Sequence, residues 1–283
     1  MTLMHDTSLR DTLQDLLGPD ASEPVRQAIR DGDEPTVRQA SAQLTGAAIL
    51  SAKIEAVEQG RPDFLKVLLQ SDRAVPEDLV AIACQRKDMD SLRILLDYGW
   101  QINDPVYSAA SLLCLAINDS DLMQWLTDNG ADVDARSSLD EPAIANAIAH
   151  GSMGVVLLLL AHSPDLEHGN LLHCAAERSN QVEGAELVTL LALGGADVNA
   201  YRYNNPVARR LRGMSRLLTA LHIACFRQNI PVVRTLLEHG AEPDRLALEA
   251  GRLVRPTAQD IALGSGNQEL RGLFTKEGET AQV

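Results

Sequence analysis

The sequence predicts an all-helical solenoid, built from stacked helix–turn–helix units that are joined by short finger turns. Three observations lead to this fold class. A short signature around Gly-Ala-Asp recurs along the 283 residues, and an aliphatic run precedes each copy. Aromatic residues make up only 3% of the chain, so the core must come from small and aliphatic side chains, which suit close-packed helices. No segment shows the alternation of apolar and polar residues that is typical of strands.

Two signatures define the repeat. The first lies at 130–134 (GADVD), 195–199 (GADVN) and 240–244 (GAEPD), with weaker copies at 99–103 and 163–167. The second lies about twenty residues upstream, at 219–225 (TALHIAC) and 171–176 (LLHCAA). A fixed order of two signatures with an aliphatic run between them indicates one supersecondary unit that is used many times.

These signatures resemble the ankyrin repeat, whose consensus reads TPLHxA, then a helix, then GADVN, over about 33 residues. The resemblance is strongest at 219–244 and good at 171–199, and it extends over about nine-tenths of the chain. It implies an all-α ankyrin-repeat solenoid in which each unit buries its apolar face only against its neighbours.

The resemblance divides the chain into three parts. Residues 1–22 form a loose N-terminal segment, 23–275 the ankyrin-repeat array, and 276–283 a loose C-terminal tail. The array contains one divergent first unit and seven more, the last of them a polar capping unit. The units are 23–44, 45–76, 77–104, 105–135, 136–167, 168–200, 217–244 and 255–275.

Within a unit, local chemistry predicts where each helix begins and ends. Pro142 or Thr219 stands where a first helix begins, in a capping or first-turn position. Gly32, Gly60, Gly151 and Gly266 are expected to end first helices in the left-handed conformation. The glycine of each GAD signature is expected to end the second helix, and the Asp or Asn that follows favours a turn.

Histidines and cysteines recur at equivalent positions of the repeat, which favours structural roles. His173 and His222 could act as bases or ligands. The resemblance implies instead that they hydrogen-bond the backbone of a neighbouring turn. The four cysteines are expected to be reduced and to serve as small buried hydrophobic residues, because none lies in a metal-binding or redox motif; they are Cys84, Cys114, Cys174 and Cys225.

Departures from the repeat are more informative about function. Asn199 and Thr219 are twenty positions apart, whereas the matching spacing from Asp134 to Pro142 is eight. The inserted residues 201–216 carry five arginines and no acid, in a chain whose net charge is -14. A smaller expansion follows at 244–257, and a four-residue excess near 181–184 is expected to lengthen the turn between two helices.

The predicted function is a protein–protein interaction module or scaffold that binds a partner through its concave face and finger loops. The resemblance implies this role. The basic insert is either a disordered, solvated insertion with no partner or a contact for an acidic or phosphorylated partner. Trp100 is either an exposed anchor or a space filler. The predicted partner-binding residues are Tyr201, Arg202, Tyr203, Arg209, Arg210, Arg212, Arg216, Trp100, Tyr107 and Arg136.

Other classes of function are disfavoured. The negative charge argues against nucleic acid and anionic membranes as partners, and no apolar run approaches the length of a membrane span. We find no catalytic, metal-binding or cofactor-binding motif, so we predict no enzyme activity, no metal and no cofactor. The alternative is an enzyme or small-ligand receptor whose concave groove is covered by the inserted loop. We expect a monomer inside the cell, cytoplasmic or nuclear.

Overall fold

The computed structural model describes residues 21–106, 111–137, 141–162, 165–166, 170–212 and 216–275; for Val207, Leu211 and Arg212 it describes the backbone alone. The chain divides into two compact units, residues 1–106 and 107–283, which we call unit 1 and unit 2. Each is described by itself. Almost all of the two predicted loose ends, 1–22 and 276–283, lies outside the described residues, so the predicted domain boundaries stay predictions.

Unit 1 contains three helix pairs, as predicted. The helices are α1 Glu23–Asp31, α2 Glu34–Ser41, α3 Gly46–Glu58, α4 Pro62–Ser71, α5 Glu77–Gln85 and α6 Met89–Asp97. First helices pack on first helices and second helices on second helices, in the order α1–α3–α5 and α2–α4–α6. This is the stacking of a solenoid, in which each pair contacts only its neighbours.

Side-chain caps begin two of the second helices of unit 1. Asp33 accepts a hydrogen bond from the backbone N–H of Thr36, and Asp88 accepts one from Ser91. Each bond satisfies a donor that the first turn of a helix leaves unpaired. The core between the helices is aliphatic, with Phe64 as a fully buried aromatic side chain.

Unit 2 repeats the same plan with additions. Its helices are a short 3-10 helix Leu112–Leu115, α7 Ser120–Asp128, α8 Ala143–His150, α9 Met153–Ala161, α10 Leu171–Glu177, α11 Gln181–Leu193, α12 Pro206–Arg212, α13 Ala220–Phe226, α14 Ile230–Glu238, α15 Ala258–Gly264 and α16 Gln268–Thr275. Its strands are β1 Leu246–Glu249 and β2 Arg252–Thr257. First helices pack in the order α8–α10–α13–α15, and α11–α14–α16 pack as second helices. The prediction of a mainly helical ankyrin-type solenoid is confirmed.

The two expansions of the repeat have secondary structure of their own. The insert contains α12, and the expansion at 244–257 forms an antiparallel hairpin of β1 and β2. Leu217, at the end of the insert, pairs with Leu248 of β1 through two backbone hydrogen bonds of 2.7 and 3.0 Å. The insert and the hairpin are therefore joined by their main chains.

Glycine ends the second helices as predicted, but three local predictions were wrong. Gly266 does not have the predicted left-handed conformation, and α15 ends at Gly264 with Ser265 as its cap. Gly130, Gly195 and Gly240 all have φ between 87° and 99°, which favours glycine. Gly151, in contrast, has extended backbone with φ of -84°. A Cβ there would lie 2.5 Å from the carbonyl oxygen of Ile117, so this residue is glycine because two segments approach closely.

The four extra residues near 181–184 do not form a longer turn. They are the first turn of α11, which begins at Gln181 and extends over 13 residues. Asn180 caps this helix by accepting from the backbone N–H groups of Val182 and Glu183. The excess length was absorbed by a longer helix because a capping residue was available at its start.

Candidate interaction surface

His173 and His222 both have structural roles, which differ between the two residues. His173 is fully buried in unit 2. Its Nε2 lies 3.1 Å from the carbonyl oxygen of Leu218, at the start of the following repeat. Burial, assisted by the charge of Arg202, lowers the pKa of His173 to about 4. A neutral imidazole can donate this bond, so the predicted bond to a neighbouring backbone is confirmed for His173.

His222 takes part in a helix cap. Its Nδ1 lies 2.7 Å from the hydroxyl oxygen of Thr219, and the two residues form a reciprocal capping box at the start of α13. Burial lowers the pKa of His222, and the backbone of Pro256 partly opposes this effect. The ring therefore orders the turn that begins its own helix.

Three of the four cysteines are buried, as predicted, and the fourth is not. Cys84, Cys174 and Cys225 are buried, whereas Cys114 is half-buried. Burial raises the pKa of Cys174 and of Cys225 to about 12. Thiols with such pKa values stay protonated and are poor nucleophiles.

The insert is anchored to the repeats by its first residues. The hydroxyl of Tyr201 donates to the carbonyl oxygen of Leu246 at 2.6 Å, and the guanidinium of Arg245 lies 5.0 Å from the centre of the Tyr201 ring. The backbone N–H of Tyr203 donates to Asn170 at 2.7 Å. Tyr201 and Tyr203 therefore serve first to fix the insert in place.

Arg202 is paired within the chain. Its Nη1 lies 2.6 Å from a carboxylate oxygen of Glu177 on α10, and its guanidinium lies 4.8 Å from the centre of the Tyr203 ring. Burial opposes the charge of Arg202, but the hydrogen bond and charge of Glu177 outweigh it and raise the pKa. Because Glu177 on a different helix already pairs with Arg202, the predicted role of Arg202 in binding a partner stays a prediction.

The remaining arginines of the insert differ in their surroundings. Arg209 and Arg210 are exposed on α12, and Arg209 donates to the neutral side chain of Asn204. Arg216 forms an ion pair of 3.1 Å with Glu249 of the hairpin, with both side chains exposed to about 40%. The side chain of Arg212 lies outside the described residues. The positive charge that the described insert presents to solvent therefore lies mainly on α12.

Two grooves of unit 2 adjoin the insert. The first, which we call the first-helix groove, has a volume of about 290 Å³ and is lined by residues of α8 and α10 together with Arg202. The second, which we call the finger groove, has a volume of about 650 Å³ and lies between the start of the insert and the finger turns. Among its lining residues are Asn170, His173, Asp197, Tyr201, Asn204, Asn205 and Arg245.

In the part of the finger groove that the structure describes, the titratable side chains are engaged in structural hydrogen bonds. His173 and Asp197 both line the finger groove, but His173 is bonded to the backbone of Leu218 and Asp197 to the backbone N–H of Asn199. The described residues also contain no cluster of His, Cys, Asp and Glu that could hold a metal ion. The absence of enzyme activity stays a prediction.

The other predicted contact residues differ in burial and in their partners. Trp100 is only 7% exposed, which favours the space-filling alternative over an exposed anchor. Arg136 forms an ion pair of 2.8 Å with Asp165 and is half-buried. Tyr107 lies outside the described residues.

Sequence reasoning missed two notable side chains. Phe226, the last residue of α13, is 56% exposed although it is a large aromatic residue. Arg178 is buried and donates to the carbonyl oxygens of Ile148 and Gly151 at the end of α8, as well as to Glu183. Phe226 was detectable as an aromatic residue at a repeat position that holds Ala149 and Glu177 elsewhere, whereas the contacts of Arg178 depend on the fold.

Comparison with known proteins shows which class of protein this chain resembles. A model of the ankyrin-repeat family matches residues 216–247. The mouse B-cell lymphoma 3 protein homolog is 31% identical over 123 residues, which cover 43% of this chain and 25% of that protein. The human ankyrin repeat and SOCS box protein 6 is 29% identical over 171 residues, which cover 53% of this chain and 40% of that protein. The chain thus spans less than half the length of these relatives.

The prediction of ankyrin repeats is therefore confirmed: the described residues form stacked helix pairs, His222 takes part in a capping box, and residues 216–247 match the family model. The repeats and the relatives together support a role in protein–protein interaction. Among the described residues, no helix has both the length and the apolar character needed to cross a membrane.

Proposed function

We propose that this chain is a protein-interaction module that binds a partner protein through unit 2. The surface consists of the first-helix groove, the exposed ring of Phe226 and the basic helix α12. The single observation that carries the proposal is the exposure of Phe226 on α13, in the row of first helices that also forms the groove.

The row of first helices supports this assignment. Ala149, Glu177 and Phe226 stand at equivalent positions of successive units, each seven residues after the helix cap. Ala149 and Glu177 line the first-helix groove, and the helices that carry the three residues pack side by side. An exposed aromatic side chain beside a groove is the type of residue that dominates binding energy in protein interfaces.

The charge of the insert supports an acidic or phosphorylated partner. Arg209 and Arg210 are exposed on α12, and the insert contains no acid that could neutralise them. Arginine binds carboxylates and phosphates through planar, paired donors. A monomeric state and a cytoplasmic or nuclear location are further parts of this proposal.

The experiment uses the full chain as bait to capture a partner and then measures affinity for variants of the chain. Phe226→Asp should weaken binding of the captured partner at least tenfold, because an anchor is replaced by a charge. Val182→Asp is the matched control, since Val182 is 62% exposed on a second helix, away from this surface.

A second variant tests the insert. Arg209, Arg210 and Arg212 changed together to Glu should weaken binding without lowering the melting temperature, and the loss should be larger at low salt. Equal affinities of wild type, Phe226→Asp and the triple variant for the captured partner would refute the proposed surface.

A further inference from the structure

The hairpin of β1 and β2 has one paired edge and one open edge. On the outer side of β1, Leu248 exchanges two backbone hydrogen bonds of 2.7 and 3.0 Å with Leu217 at the end of the insert. In the part of the chain that the structure describes, β2 pairs with β1 alone. The outer edge of β2 is therefore available to a further strand.

The register of the hairpin shows which backbone groups lie on this open edge. Leu248 of β1 is directly opposite Leu253 of β2. In an antiparallel pair, two opposite residues either exchange both of their hydrogen bonds or direct both groups away from each other. Because the N–H and C=O of Leu248 are bonded to Leu217, those of Leu253 point away from β1, toward the open edge. Among the described residues, neither group of Leu253 has a hydrogen-bond partner.

Three leucines form a row across the paired segments. Opposite residues of a ladder place their side chains on the same face, so Leu217, Leu248 and Leu253 lie side by side. Leu217 is buried, Leu248 is half-buried and Leu253 is 62% exposed. The row thus ends at the open edge with an apolar side chain in solvent. An apolar residue on an added strand, opposite Leu253, would cover it and extend the row by one position.

The charges of the hairpin favour an acid next to that apolar residue. Residues 246–257 carry two arginines and one acid, which are Arg252, Arg255 and Glu249. Arg255 pairs with Asp260, and Glu249 pairs with Arg216 at 3.1 Å. Arg252 is exposed, and within the described residues it has no ion pair. The group of Arg216, Glu249 and Arg252 therefore keeps one positive charge, which an acid opposite Arg252 would neutralise.

A second copy of this chain is disfavoured as the added strand. β2 contains two arginines and no acid, so pairing two β2 edges would leave Arg252 without an acid in both copies. Each chain also has a net charge of -14, which opposes self-association. Arginines and a proline, Pro256, on an edge strand are features that natural proteins use against the pairing of like edges.

We propose that the outer edge of β2 binds an extended segment of a partner protein as an additional antiparallel strand. One residue of that segment exchanges two backbone hydrogen bonds with Leu253, as Leu217 does with Leu248. Its side chain is apolar and covers Leu253, and the residue that follows it is acidic and lies opposite Arg252. Strand addition of this kind obtains affinity from main-chain bonds and specificity from side chains. This inference rests on the proposed function and adds a second contact surface.

The probes are short synthetic peptides with blocked ends. The parent peptide has the core Thr-Val-Leu-Glu-Thr, which in the antiparallel direction places its leucine opposite Leu253 and its glutamate opposite Arg252. The reverse core, Thr-Glu-Leu-Val-Thr, has the same composition but places the glutamate opposite Val254. N-methylation of the peptide leucine removes the donor to Leu253. N-methylation of the glutamate is the matched control, because successive N–H groups of a strand point to opposite edges.

The full chain should bind the parent peptide about tenfold more tightly than the reverse peptide or the N-methyl-leucine form. The N-methyl-glutamate form should bind like the parent, and fluorescence polarisation measures all four affinities. In NMR spectra, the parent peptide should shift the amide proton of Leu253 more than that of Val254, whose N–H faces β1.

A protein variant tests the charge. Arg252→Glu should reverse the preference, so that a peptide with lysine in place of the glutamate binds more tightly than the parent. Arg271→Glu is the matched control, because Arg271 is exposed on α16, outside the hairpin. It should bind the peptides like wild type.

Several results would overturn the inference. They are no binding of the parent peptide, equal binding of its N-methyl-leucine form, and an unchanged preference in Arg252→Glu. A shift of the Leu253 amide that grows with protein concentration in the absence of peptide would assign the edge to a second copy and would also overturn it. The proposed function is tested separately, since it fails only if Phe226→Asp and the triple arginine variant bind the captured partner as tightly as wild type.

Discussion

The buried imidazole of His173 should make the stability of the protein depend on pH. Its pKa is about 4 in the folded chain, against an ordinary value of 6.5 for an exposed histidine. Below pH 6.5 this imidazole is therefore mostly protonated in the unfolded chain, whereas it stays mostly neutral in the folded chain until the pH approaches 4. The stabilisation of the folded chain by neutral His173 is therefore complete above about pH 6.5 and is lost as the pH falls toward 4.

The size of the effect follows from the two pKa values. Between about pH 7.5 and about pH 5, the proton uptake of the unfolded chain at this residue should cost about 2 kcal/mol of the free energy of unfolding. His222, whose pKa is also lowered, changes stability in the same direction. Wild-type protein should therefore lose at least this amount over that interval.

The assay is urea unfolding, followed by circular dichroism at both pH values, for wild type and His173→Gln. The variant loses the bond to Leu218 and should be less stable at neutral pH, but its loss between the two pH values should be smaller by about 2 kcal/mol. His162→Gln is the control, because His162 is exposed at the end of α9. An equal pH dependence in wild type and His173→Gln would refute a neutral, buried His173.

Three other changes test the packing of unit 2. Arg178→Ala should lower the free energy of unfolding by about 3 kcal/mol, because it leaves buried carbonyl groups and a carboxylate without their donor; urea unfolding measures it. Gly151→Ala should lower the free energy of unfolding by about 2 kcal/mol, because the added methyl group clashes with nearby backbone. Gly266→Ala is the control, since a methyl group there meets open space, and thermal melts of the two variants measure the difference. In native protein a thiol reagent should label Cys114 well before Cys174, and equal labelling rates would contradict their difference in burial.

The sequence was sufficient to predict those elements that depend on residues close together in the chain. The helix pairs, the glycines at 130, 195 and 240 and the cap at Thr219 each follow from local chemistry. Gly151 was misread because its reason for being glycine is the carbonyl of Ile117, 34 positions away. A left-handed turn and a close approach require the same residue type, and the sequence does not distinguish them.

The candidate site was predicted less well, because its properties depend on contacts between distant residues. The insert and its arginines were visible as a break in the repeat. The sequence showed five like charges, but it could not show that Arg202 pairs with Glu177 and Arg216 with Glu249.

The backbone pairing of Leu217 with Leu248 has a consequence for local unfolding. Proteins open locally at a free-energy cost below that of global unfolding, and each local opening exposes the amide protons that it frees. Here the hairpin of β1 and β2 also holds the exit of the insert. When the hairpin separates from the insert, the amide protons of Leu217 and Leu248 lose their protection, and the restraint on the end of the insert is released with them. The rate of hydrogen exchange at these two amides would thus report how often the insert becomes free to rearrange.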